Sequence, residues 1–239
     1  MARRPARKPT SRSTRSNAPA GSAAPAGDRE KIVAAFLALL ADKRIEQIGL
    51  AEIADGAGVS LAQMRGEFAS TLGILAAYLK SVDRAVLAEN MADMEEEPAR
   101  ERLFDVLMRR LEVMAPHREA VRSLVRSATR NPPLALALNG LAVRSQQWML
   151  TAAGINASGP RGMMRAQGLA VLFASVLRTW VNDDDAGLAR TMAALDRALG
   201  RGQRFAGLLD DLCRVPSRLC LLRSRWRRRG KEPNESAAA

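Results

Sequence analysis

Apolar residues recur three and four positions apart along most of this chain, the spacing of a helix face. Ile32, Ala35, Phe36, Leu39 and Leu40 mark the first such face, with Asp28 placed to cap it. Ile45 and Ile48 plug the connection that follows. Leu72, Leu75, Leu79, Val82, Val86 and Leu87 trace a longer helix that Ser70 can cap. The acidic run Glu95–Glu97 and Pro98 then break the pattern and predict a boundary between a head (28–90) and a body (99–213). In the body, Leu103, Val106, Leu107, Leu111 and Met114 predict a helix ended by Pro116. Val121, Leu124, Val125 and Ala128 predict another, ended by Asn131-Pro132-Pro133. A third spans about 134–153, and a fourth runs from Gly159-Pro160 to Trp180. Asp183–Asp185 stop that helix and supply a cap for the next. Leu188, Met192, Leu195 and Leu199 mark a fifth, and Phe205, Leu208, Leu209 and Leu212 a separate short last piece. No stretch alternates with period two over strand length, so the expected fold is all-α. No apolar run approaches the ~20 residues of a membrane span.

Residues 50–68, LAEIADGAGVSLAQMRGEF, carry the most specific pattern. Ile53, Ala54 and Ala57 give a short first helix its apolar stripe, and small Ala54 permits a close crossing. Gly58 stands where the chain must turn and a residue free to take positive φ is useful. Ser60 opens a second helix, and Gln63 three residues later completes a capping box. Val59, Met64 and Phe68 face back toward the first helix. This is the layout of a helix-turn-helix, whose second helix enters the major groove; an ordinary helical corner shares the same spacing.

Charge changes the picture by its location. The net charge of +12 sits in two tails. Residues 1–27 hold six Arg/Lys, four Pro and no acid, and read as a disordered basic arm; a secretory signal would need an apolar run there. Residues 214–239 hold eight Arg/Lys against two Glu, a basic tail. The 23 basic and 23 acidic residues between them cancel. Such tails attract polyanions, whether nucleic acid or anionic lipid. Cys213 and Cys220 make neither a disulfide framework nor a zinc site, which predicts a reducing, cytoplasmic setting. With a single histidine, no phosphate loop, no nucleophile motif and no metal spacing, neither catalysis nor a cofactor is expected.

Head and body together resemble the TetR family of transcriptional regulators. The likeness begins at REKIVAAFLALLADKRIEQIGLAEIADGAGVS and runs into the F-x-S step at Phe68–Ser70. It implies a three-helix DNA-binding head, a linking helix, and a body that dimerises through its last two long helices, here about 162–181 and 186–199. It also implies a repressor released when a small apolar ligand fills the body. The DNA-facing residues are then Ser60, Leu61, Gln63, Met64 and Arg65, with Arg44 and Thr71 beside them. Gln63 is the side chain able to read a base edge by two hydrogen bonds, and Arg65 can supply a phosphate contact. Three departures from the family pattern involve four residues. Arg65 and Glu67 precede Phe68 where Tyr and His are usual, Thr71 replaces a Lys, and Gly49 stands near the usual Thr. Residues 28–70 hold five basic and seven acidic residues, so the head alone should bind duplex weakly and the basic arm should compensate.

A second resemblance is to the TetR-fold accessory lipid-binding proteins of ubiquinone biosynthesis, which lack the basic DNA-reading surface. The neutral head and the interleaved Leu219, Leu221, Leu222, Trp226 and arginines of the tail suit that reading, which implies an anionic membrane surface as partner. In either case Met114, Trp148, Met149, Met163, Met164, Phe173, Leu177 and Trp180 are the candidates to line an apolar ligand cavity; core or dimer interface is the alternative for each. His117, after Pro116, is expected as a solvent-exposed first-turn residue.

Overall fold

The computed structural model describes residues 27–88 and 96–214, with side chains as far as Gly202. The basic arm before Gly27, the tail with Leu219 to Trp226, and the side chains of Phe205, Leu208, Leu209 and Leu212 lie outside the described residues. Among the described residues there is no strand. The helices are α1 (Asp28–Asp42), α2 (Leu50–Ala57), α3 (Leu61–Glu67), α4 (Thr71–Ala88), α5 (Ala99–Met114), α6 (Arg118–Arg130), α7 (Pro132–Ala152), α8 (Gly159–Trp180) and α9 (Ala189–Arg214). Short 3-10 turns, Ile45–Gln47 and Ala115–His117, join α1 to α2 and α5 to α6.

The head forms around α1. Ile32, Phe36, Leu37 and Leu40 are buried on it and meet Ile53 and Ala54 of α2, Met64 of α3, and Ile74 and Leu75 of α4 in one core. Each large apolar side chain so buried contributes roughly 1.5–3 kcal/mol. The turn between α2 and α3 is a Schellman motif. Gly58 takes φ 64°, its N–H donates to the Asp55 carbonyl at 3.1 Å, and the Val59 N–H donates to Ala54 at 3.0 Å. Ser70 caps α4 by accepting the Gly73 N–H at 3.2 Å.

In the body α8 lies between α7 and α9, while α4 runs against α5 and α7. Helix α6 packs on α1 and so joins body to head. Two expectations change here. Asn131-Pro132-Pro133 begins α7 as well as ending α6. The Asn131 side chain accepts the Leu134 N–H at 3.0 Å, and a proline in the first turn lacks only an N–H that would have had no helical partner. The two last helical pieces are one helix, α9, which passes through Gly200 and Gly202 unbroken. At Gly202 a Cβ would stand 3.3 Å from Leu172 of α8, so the glycine serves close helix contact, not a break.

Asp183–Asp185 do cap α9, as expected. Asp183 is buried, and its carboxylate accepts both the N–H (2.9 Å) and the hydroxyl (2.7 Å) of Thr191. Asp185 accepts the Ala189 N–H at 3.0 Å.

Because a Cβ at φ 64° is strained, Gly58→Ala should destabilise the protein by about 1–2 kcal/mol. Urea unfolding monitored by circular dichroism checks this.

Candidate nucleic-acid interface

Helix α3 offers one face inward and one outward. Met64 is 3% exposed and Phe68 is buried, and these two residues fix the helix to the core. Met64 is therefore an anchor and not a DNA contact, which corrects the expectation for that residue. The outward face carries Leu61, Ala62, Arg65 and Gly66, with Leu61 56% exposed. Ser60 sits at the N-cap, and its Oγ accepts the Gln63 N–H at 3.2 Å.

The polar side chains of α3 are already engaged. Gln63 Oε1 accepts the Ser60 N–H (2.9 Å) and hydroxyl (2.8 Å), and its Nε2 donates to Asp28 of α1 at 3.2 Å. Both ends of the amide are thus committed, and reading a base edge would require their release. Glu67 accepts Arg29 Nη1 at 3.4 Å, and the same guanidinium lies 4.5 Å from the Phe68 ring centroid and donates to the Glu67 carbonyl at 3.3 Å. Both partners of that ion pair are largely exposed, so it holds α3 mostly through geometry. Arg29 is the head residue that sequence spacing did not single out. Its partner is 38 positions away and no local pattern reveals it.

Of the remaining candidates, Thr71 opens α4 and is half-buried. Arg44 is not brought to α3. It precedes the first 3-10 turn and lines a cleft against α6.

No family model and no curated protein matches the chain. Solved structures do. A TetR transcriptional regulator from Nitrosomonas europaea is 22% identical, with a TM-score of 0.57 over 73% of this chain and 97% of that one. One from a Rhodococcus species is 18% identical, with a TM-score of 0.52 over 73% and 95%. The fold is the TetR fold.

The residues expected to line an apolar cavity separate in the body. Met114, Met149, Phe173 and Trp180 are all under 5% exposed and packed into the core, and Leu177 is half-buried. Trp148, Met163 and Met164 are more than half exposed. Trp148 and Met163 line an open surface groove of about 730 Å³, with Gln147 Nε2 lying 3.9 Å from the Met163 sulfur. These eight residues therefore do not line one enclosed apolar cavity. Their helices turn different faces to the core, which residue type alone could not reveal.

The body interior instead carries a buried polar cluster. Arg110 of α5 is 3% exposed and pairs with Asp83 of α4, which also accepts the Ser145 hydroxyl at 2.6 Å. The guanidinium sits 5.7 Å from the Phe173 ring centroid. Arg110 Nε, Tyr78 Oη and Gln146 Oε1 are buried without a hydrogen-bond partner among the described residues. Burial pushes the Tyr78 hydroxyl up to about 12, against a smaller opposing effect of the Arg110 charge, so it stays a protonated donor. His117 is half-buried and meets Tyr78 edge-on, ring centroids 5.5 Å apart, so it is not the exposed residue that its place after Pro116 predicts. Burial pushes its imidazole below the ordinary histidine value.

Removing one partner of a buried ion pair leaves the other charge uncompensated. Asp83→Ala should cost about 3–5 kcal/mol in denaturant unfolding, and substituting Leu for Asp83 together with Met for Arg110 should recover most of it. As pH falls, the unfolded chain binds a proton at His117 before the folded protein does. Stability should therefore be full above about pH 7 and decline as pH drops through about 6.5 toward the lowered folded value. His117 is the sole histidine, so His117→Gln should flatten the stability profile between about pH 7.5 and 6.

Proposed function

We propose that the protein is a DNA-binding transcriptional regulator of TetR type, a homodimeric repressor released by a small molecule. The observation that carries this reading is the outward face of α3. It follows a closed helix-turn-helix corner, is anchored from behind by Met64 and Phe68, and presents Leu61 and Arg65 to solvent. A helix so mounted fits the major groove, and two of them about one duplex turn apart read a palindromic site. Dimerisation is supported by an apolar strip left uncovered on the body. Met164 (54% exposed) and Val171 (61%) lie two turns apart on α8, and Met192 lies on α9.

The released state follows if a ligand binds one head spacing better than the other. The buried cluster favours a ligand that is apolar over most of its surface but carries a hydrogen-bonding group. Such a group would meet Arg110, Gln146 and Tyr78, whose free polar atoms a wholly apolar molecule would leave unpaired.

The test is titration of labelled genomic fragments with the full chain. The expected result is a sequence-selective shift and a two-fold symmetric footprint with half-sites about 34–36 Å apart. Arg65→Ala should weaken that binding and lower the log–log salt slope by about one, the signature of one lost phosphate contact. Binding to anionic vesicles without any selective shift on DNA would overturn this reading in favour of a lipid-binding role.

A further inference from the structure

A second basic feature of the structure lies away from α3. Where the C-terminal end of α1 and the first 3-10 turn meet α6, they enclose a cleft of about 320 Å³. Its charged lining is Asp42, Lys43 and Arg44 from the head, and Glu119, Arg126 and Arg130 from α6. Lys43 is paired with Glu52, and Glu119 is paired with Arg122 at 2.7 Å. That leaves Arg44, Arg126 and Arg130, none of which makes an ion pair among the described residues, facing one carboxylate, Asp42. The nearby acid Glu46 feels the Arg44 charge but accepts its hydrogen bond from Asn131 at 3.1 Å. Arg126 and Arg130 are four positions apart on one face of α6, where like charges repel.

We propose that this cleft is a binding site for a small oxyanion, a free phosphate or a small phosphorylated metabolite, held between Arg44 of the head and Arg126 and Arg130 of α6. Guanidinium forks match phosphate geometry and keep their charge at any working pH. The volume equals that of about ten waters, room for a phosphate and a small substituent. The cleft lies at the opposite end of α1 from α3, about 20 Å along the helix.

The position gives such binding a consequence. Helix α6 is tied to the end of α8 by Arg118, which donates to the Trp180 and Asp183 carbonyls, and by Arg122, which donates to Val181 at 2.9 Å. Toward the head α6 packs along α1, and its side-chain hydrogen bonds there come from Ser123, which donates to the Lys43 carbonyl at 2.7 Å, and from Asn131, which donates to Glu46. An oxyanion across the cleft adds a charged clamp on the head side of α6. Only the further step, that the clamp sets the spacing of two heads on DNA, rests on the regulator reading above.

The experiment is a titration of the full chain with inorganic phosphate at constant ionic strength, read by thermal unfolding and by hydrogen exchange of the backbone at 41–47. The expected result is a saturable rise in Tm with slowed exchange at 41–47. The response should need at least about tenfold more phosphate in Arg44→Gln and in the double variant Arg126→Gln, Arg130→Gln. The basic tails are the same in every variant, so an equal response in all three proteins overturns the proposal. Should the double variant fail to fold, Arg44→Gln, in an exposed connection, carries the comparison. Slowed exchange at 41–47 with duplex DNA but not with phosphate also overturns it, because the cleft then takes a phosphate of the duplex. A phosphate response that persists in a protein showing no selective DNA shift upholds the site and removes only the regulator reading.

Discussion

Helix α1 is the strut against which the other parts of the head are set. Its apolar stripe, Ile32, Phe36, Leu37 and Leu40, is removed from water almost completely. That burial leaves its two ends free to do different things. The first turn reaches α3 through Asp28 and Arg29, and the last turn lies on α6. The orientation of α3 relative to the body therefore passes through α1, and through α4, which follows α3 and packs on α5 and α7. Interiors packed in this way shift between discrete arrangements and do not deform smoothly.

Helix α6 is the matching element in the body. At the C-terminal end of α8, Arg118 donates to the Trp180 carbonyl and to that of Asp183 beyond it, and Arg122 donates to the Val181 carbonyl that follows the helix. Positive charge at a helix C-terminus is also favoured by the helix dipole. Arg118 further lies 5.3 Å from the Trp180 ring centroid, so packing and charge hold the same joint. A movement of the end of α8 would thus be passed to α6, and from α6 to the end of α1. The Arg118 and Arg122 contacts are specific and directional, and at the end of α1 Ser123 adds one hydrogen bond to the Lys43 carbonyl.

Electrostatics divide the molecule in an uneven way. On α3, Gln63 and Glu67 are bound by α1, which leaves Arg65 as the outward cation of that helix. In the body interior, by contrast, Arg110, Asp83, Ser145 and Gln146 are withdrawn from water. A buried ion pair is a poor source of stability compared with well-packed apolar residues, because desolvation offsets most of the attraction. It lies between α4, α5 and α7, with the Phe173 ring beside the guanidinium.

The sequence by itself determined the helices, except that it split α9 into two pieces, and the corner between α2 and α3. Periodicity, Gly58 and the Ser60–Gln63 box are local signals, and each acts within about one turn of the chain. They also turned Phe68 toward α2, but left Met64 assigned both to that inward side and to the DNA-facing set until its burial decided for the former. What only the tertiary structure decided are the contacts between residues far apart in the chain. Arg29 on Phe68, Asp28 on Gln63, Asp83 on Arg110 and the meeting of Arg44 with Arg126 and Arg130 all depend on how helices cross. The same cause separated Met149 from Trp148, neighbours in sequence and opposite in exposure. A helical repeat tells which residues share a face, but the direction in which that face turns is set by the other helices.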